Sequence, residues 1–263
     1  MATGTQGKTP TFTLLVFTWN ELESVKVIMP QIDRSLFEQI LVVDANSTDG
    51  TAEWCRAQGY EVFTQTTNGI REAYQESLPH VRGDYSIAFS PDGNSLVEKL
   101  PELVAKLKEG YDMIIVSRYL GGAKSQDDDW ITGFGNWMFT RLVNLLHGGH
   151  YTDVMVMYRG YRTGLMHALR LDTYDDPVIK WPARIFFARM GIEPLMSCRA
   201  ARAGCKVGEI PGDEPPRISG ARKLKIFRWG AAILLQFFME VFMPRRRYRQ
   251  ALEELRKSSG CSG

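Results

Sequence analysis

The chain has 263 residues, 44% of them apolar and 24% charged, with a formal net charge of +2. Such hydrophobicity at near-neutral charge excludes intrinsic disorder, and the length suits one large α/β domain plus an appendage. So small a charge speaks neither for nor against an acidic partner, and no nucleic-acid partner is expected. Of the four cysteines, Cys198 and Cys205 are too far apart for a C-x-x-C knuckle and no histidine lies near them, so reduced thiols are expected. The opening MATGTQGKTP has no apolar h-region, which predicts no secretory signal and a fold that stays in the cytosol.

In chain order, Thr11 to Thr18 (TFTLLVFT) predicts a buried strand, being a short run of β-branched and aromatic residues. A helical pattern follows Trp19-Asn20-Glu21 and runs to about Ile32. Gln39 to Asp44 (QILVVD) is a second strand, broken by the turn and cap residues Ala45 to Gly50. A short helix over Thr51 to Gln58, a strand at Tyr60 to Thr64 and a helix from Ile70 to about His80 come next. Tyr85 to Phe89 (YSIAF) is a fourth strand, closed by the loop SPDGNS, and a helix over Leu96 to Glu109 leads to a strand at Met113 to Val116.

Beyond that point the pattern is less regular. An acidic, glycine-bearing loop (Gly121 to Asp129) precedes a helix near Phe134 to Leu146, then a strand and turn at Asp153 to Tyr161 and a helix over Ile192 to Ala203. Ile210 to Arg217 is proline-rich and reads as irregular. Alternating strands and helices at short spacing predict βαβ units and a mostly parallel sheet flanked by helices. The strands are apolar throughout, as expected where helices cover both faces. Ligands of such sheets bind beyond the carboxyl ends of the strands, where Trp19-Asn20-Glu21, Asp44 to Gly50 and Ser90 to Asn94 should converge.

Neither G-x-G-x-x-G after the first strand nor G-x-x-x-x-G-K-[ST] anywhere is present, which excludes a dinucleotide fingerprint and a P-loop. The segments L-V-F-T-W-N-E, V-V-D-A-N-S-T-D-G-T and S-P-D-G-N-S, in that order, resemble the inverting glycosyltransferases of family two with the GT-A fold. V-S-R-Y-L-G-G, the Asp153 to Tyr161 stretch and E-I-P-G-D-E-P-P-R-I-S-G-A-R-K-L resemble the branch holding dolichyl-phosphate mannose synthases and other polyprenyl-phosphate sugar transferases. The resemblance spans about residues 11 to 230, which gives a GT-A catalytic domain over 11–220, a disordered N-terminus over 1–10 and a C-terminal extension over 221–263.

The resemblance implies roles for particular residues. Asp44 accepts a hydrogen bond from the nucleotide base, a turn or N-cap aspartate being the alternative. Asn20 and Glu21 match the family's pair beside the base, though a helix start also explains them, and Thr18, Arg71 and Ser90 complete the nucleotide set. Asp92 holds Mg²⁺ or Mn²⁺ bridging the donor's diphosphate. Ser90 replaces the first aspartate of the family's Asp-x-Asp, which leaves the Asn94 carbonyl as the second ligand and predicts a weaker metal site. Arg118, Arg217 and Lys223 are phosphate-binding candidates. Asp153 and Glu193 are candidate general bases, needed for a sugar-hydroxyl acceptor and not for an anionic lipid phosphate. Asp127-Asp128-Asp129 is either a lid over the donor or a solvated loop.

Residues 226 to 243, IFRWGAAILLQFFMEVFM, form the most apolar stretch. Its charge-free part spans roughly 16 Å as a helix, about half the ~30 Å of a bilayer's hydrocarbon. Lys225, Arg228, Gln236 and Glu240 gather within an arc of roughly 120°, with bulky apolar residues opposite and basic groups at both ends. An amphipathic helix lying on a membrane through 222–249 fits this, packing on the core or in a homo-oligomer interface being the alternative. Together these features predict transfer of sugar from a nucleotide sugar to a polyprenyl phosphate, by a protein peripheral to the cytoplasmic face of a membrane. Transfer to a sugar hydroxyl, or a non-catalytic membrane-binding domain, are the rivals.

Overall fold

A computed structural model describes residues 9–218 and 226–258. A seven-stranded sheet carries the fold in the order β3-β2-β1-β4-β6-β5-β7. The strands are β1 (Phe12–Thr18), β2 (Gln39–Asp44), β3 (Glu61–Thr64), β4 (Tyr85–Phe89), β5 (Met113–Ser117), β6 (Arg159–Arg162) and β7 (Val207–Pro211). All neighbours pair in parallel except β6, which runs antiparallel between β4 and β5.

Alternation along β1 divides two cores. Leu15 and Phe17 join Leu41, Val43, Met113 and Ile115 on one face, while Phe12, Leu14 and Val16 join Val42, Ile87, Ile114 and Val116 on the other. The second face is covered by α1 (Leu22–Ile28), α2 (Thr51–Ala57) and α4 (Leu100–Lys108). The first is covered by α3 (Ile70–Ser77), α5 (Trp130–His147), α6 (Leu165–Ala168), α7 (Pro177–Phe186), α8 (Glu193–Ala203), α9 (Ile226–Val241) and α10 (Arg246–Ser258).

Three departures from the sequence pattern have local causes. α5 begins at Trp130 because Asp129 caps it, accepting from Thr132 N at 2.8 Å in a reciprocal capping box. Val207–Pro211 is a strand despite its proline, since β7 is an edge strand and Pro211 its last residue. Half of the polar arc of α9 points inward: Gln236 and Glu240 are fully buried with Ala232, Ile233 and Phe237, while Arg228 is exposed. Glu240 Oε2 lies 3.1 Å from Arg199 Nε, and Arg199 Nη2 lies 3.1 Å from Asp176 Oδ2. α9 and α10 therefore contribute to the domain's core. Lys223 and Lys225 lie outside the described residues.

Candidate active site

The carboxyl ends of β1, β2, β4 and β5 open into one cavity of about 810 Å³. Two loops at its rim are stitched together. Asn20 adopts a left-handed φ of 55°, which asparagine tolerates, and its Oδ1 accepts from Thr48 N at 2.8 Å. Asp44 accepts from Thr18 Oγ1 at 3.1 Å, Ser47 N at 2.9 Å and Ser47 Oγ at 2.6 Å. It is buried and committed to its own turn, and the cavity wall here is made by Thr18, Trp19 and Glu21, with neither Asp44 nor Asn20 on it.

Ser90, Asp92 and Asn94 line the cavity together, on the turn that ends β4. Asn94 N donates to Asp92 Oδ1 at 3.0 Å, and Gly93 sits at φ 99°, where its missing Cβ leaves room for Ile218. A strap of residues 212–218 crosses above this turn. Ile218 N donates to Asp92 O at 2.8 Å, and Arg217 reaches Asp92 Oδ2 at 3.2 Å and Asp127 Oδ2 at 3.3 Å. The acidic loop is docked on the same strap: Lys124 N donates to Asp213 Oδ1 at 2.8 Å and Gln126 N to Glu214 O at 2.9 Å. It is thus neither an unattached lid nor solvated throughout, because the strap accepts from two of its backbone donors.

Arg118 also lines the cavity, but its fork is largely occupied. Nε donates to Asp153 Oδ2 at 2.7 Å, Nη2 to Asp153 Oδ1 at 3.1 Å and Nη1 to Glu214 Oε2 at 3.1 Å. Burial acts to lower its pKa, yet the paired Asp153 carboxylate outweighs this and raises it well above the ordinary arginine value. Asp153 is fully buried in this pair, behind the cavity wall.

Arg71 and Glu193 also lie away from the wall. Arg71 donates to Met190 O at 3.2 Å and Gly191 O at 3.0 Å, bracing the entry to α8, and burial pushes its pKa down to about 10. Glu193 is buried at the start of α8, near Arg71 and Arg159. The structure thus sets both side chains behind the cavity wall, packed at the entry to α8.

Several wall residues had no motif to mark them. Gln65 follows β3 and presents a buried Oε1 with no hydrogen-bond partner, and Asn94 Oδ1 is likewise buried and unpartnered. Asp127 was visible only as part of an acidic run. Arg189, on the α7–α8 connection, and Trp229, on α9, reach the cavity through tertiary packing alone. Among the described residues no group of three or more His, Cys, Asp or Glu forms a ready metal cage. Asp92, Asp127 and the orphaned Asn94 oxygen nevertheless supply hard oxygen donors, which fit a divalent cation that completes its shell with diphosphate and water.

Comparison with known proteins agrees with this geometry. The glycosyl transferase family 2 model matches residues 13–170, more than half of the chain. Undecaprenyl-phosphate mannosyltransferase of Micrococcus luteus is 26% identical over 238 residues, covering 83% of this chain and 93% of that protein. Dolichyl-phosphate hexose transferase of Haloferax volcanii is 27% identical over 218 residues, covering 82% of this chain and 87% of that protein. Glycosyltransferase AglJ of the same organism is 26% identical over 230 residues, covering 86% and 70%. In fold, the chain is similar to glucosyl-3-phosphoglycerate synthase from Mycobacterium tuberculosis, solved with Mn²⁺, uridine diphosphate and phosphoglyceric acid. The TM-score is 0.60 at 17% identity, covering 89% of this chain and 80% of that one.

Proposed function

The chain belongs to glycosyl transferase family 2, and on that premise we propose that it transfers a sugar from a nucleotide sugar to a polyprenyl phosphate at a membrane surface. The observation that carries this reading is the cavity wall itself: Asp92, Asn94 and Asp127 stand beside Arg217, and the two carboxylates expected as bases, Asp153 and Glu193, are buried off that wall. An acceptor oxygen that is already anionic needs no general base, whereas a sugar hydroxyl does.

Thr18, Glu21 and the unpartnered Gln65 oxygen form the wall for the nucleoside, with Asp44 and Asn20 holding the loops that carry it. Asp92, Asn94 and Asp127 would hold Mg²⁺ or Mn²⁺, which as a Lewis acid offsets charge on the departing nucleoside diphosphate. Arg217 lies where it can pass from these carboxylates to the donor's phosphates, and Lys223 is a second cation from the same segment. Arg118 shapes the floor through Asp153 and Glu214, leaving its phosphate role secondary. The acceptor attacks the anomeric carbon from the face opposite the leaving group, inverting it.

Such an acceptor resides in a bilayer, so the chain acts peripherally, on the cytoplasmic face. Among the described residues no helix is long and apolar enough to cross a membrane. The reading is tested by incubating the full chain with Mn²⁺, a panel of nucleotide sugars and short-chain polyprenyl phosphate. Nucleoside diphosphate release that requires the lipid and vanishes in Asp92→Ala is expected. Release with a glycan hydroxyl acceptor and none with the lipid would overturn it.

A further inference from the structure

Helix α9 is built inside out for a protein in water. It buries Gln236 and Glu240 completely, yet leaves Phe227 83% exposed, with Phe238 and Val241 also exposed and Phe242, just past its end, 83% exposed. These residues recur on the side opposite the buried one, so the exposure is a stripe and not a frayed end.

The neighbours of α9 repeat the pattern. α9 packs against both α5 and α7. On α5, Trp130 is 82% exposed, and Phe134, Trp137 and Leu145 follow it at helical spacing, with the Phe134 and Trp137 rings stacked at 5.7 Å. On α7, Trp181 and Ile185 are exposed one turn apart, and Phe187 just beyond the helix is 84% exposed. Arg228 of α9 ties the two together, donating to Phe186 O at 2.9 Å and Phe187 O at 3.0 Å. Three adjoining helices therefore present aromatic stripes to solvent, far beyond the scattered apolar residues of an ordinary surface.

The charges choose the occupant. Every exposed charged side chain within these three helices is a cation: Arg141, Lys180, Arg184 and Arg228. Arg141 lies 5.9 Å from the ring of Trp137 and Arg184 5.8 Å from that of Trp181, so apolar body and charge sit together, as at a headgroup boundary. A two-fold contact with a second copy would bring the same cations face to face. The cavity adjoins this side, since Trp229 of α9 lines it and Arg189 lies two residues after Phe187.

We infer that the outer faces of α5, α7 and α9 form a docking surface for an anionic lipid bilayer, with aromatic rings at acyl depth and arginines at the phosphates. This deepens the lipid-acceptor reading and rests on it for the site the surface serves. It keeps the membrane contact expected of 222–249 in α9 and extends it to α5 and α7.

The test uses vesicles of phosphatidylcholine with and without phosphatidylglycerol, containing neither polyprenyl phosphate nor donor, so its failure is distinct from failure of the catalytic reading. Full chain is expected to sediment with the anionic vesicles, with a blue shift of tryptophan emission. Trp130→Ser/Phe134→Ser/Trp137→Ser, checked for native circular dichroism, should weaken partitioning at least about tenfold. Arg141→Glu/Arg184→Glu should weaken it on anionic vesicles and lose its salt dependence. Wild-type chain that ignores anionic vesicles, or a triple variant that binds as well as wild type, overturns the inference. So does a wild-type dimer that the triple variant splits, which would give the face to a second copy.

Discussion

Arg217 Nη1 lies 3.2 Å from Asp92 Oδ2, so the carboxylate proposed to hold a divalent ion already faces a cation from the strap above it. The same guanidinium contacts Asp127 at 3.3 Å through Nε. On the proposed reading, arginine and metal would compete for one set of oxygens until a diphosphate gave the arginine another partner. Arg217→Gln should tighten binding of Mn²⁺ alone, followed by paramagnetic resonance, by about fivefold, since a partly exposed pair is worth about 1 kcal/mol. The same variant should bind nucleoside diphosphate with Mn²⁺ more weakly than wild type. Unchanged Mn²⁺ affinity would show that the contact does not compete.

Arg118 and Asp153 form a bidentate buried pair, and removing one partner strands the other. Arg118→Gln should cost about 3–5 kcal/mol in denaturant unfolding, as expected for an uncompensated buried charge. The double variant Arg118→Gln/Asp153→Asn should cost less than the sum of the singles, a coupling that a thermodynamic cycle reads directly. If Asp153 instead served as a base, Asp153→Asn would abolish transfer while leaving the unfolding midpoint near wild type.

The strand-and-helix framework was legible in the sequence because periodicity is local: β1, β2, β4 and β5 fall where apolar runs predicted them. The turn carrying Asp92 was legible for the same reason, since P-D-G-N encodes its own geometry. What escaped was set by tertiary contact. Nothing local distinguishes an aspartate meeting solvent from Asp153 closed on Arg118 across 35 residues of chain. Gln65 owes its place to the end of edge strand β3, and Arg189 and Trp229 owe theirs to packing of α7 and α9. The helical wheel of α9 was read correctly as two-faced, but which face meets the core was not legible, because buried partners such as Arg199 lie on another helix.

His147 gives the fold a pH dependence. It is buried at the end of α5, with Nδ1 3.3 Å from Arg202 Nη1. Burial first, and Arg202 and Arg245 next, push its pKa down from 6.5 to about 4. A depressed histidine is neutral in the fold, so its contribution is full above pH 6.5 and declines as the unfolded chain takes up the proton between pH 6.5 and 4. Unfolding free energy should fall by about 2 kcal/mol from pH 7 to 5 on this account. His147→Gln should flatten that slope, measured as urea midpoints across the range.

Glu240 reaches back from α9 to Arg199 at 3.1 Å and Arg202 at 3.6 Å, and Arg199 continues to Asp176 at the start of α7. Three helices thus meet at a charge cluster with no access to water. Glu240→Ala would leave two buried guanidiniums short of a counter-ion, at about 3–5 kcal/mol. For a chain of this size that lowers the thermal midpoint by about 10 °C. A chain ending at residue 225 should lose cooperative unfolding altogether, because Phe237, Tyr248 and Leu252 belong to the larger core. A helix that merely lay on a membrane would predict the reverse: removing it would leave the midpoint of the remaining domain where it was, and Glu240→Ala would be silent in calorimetry.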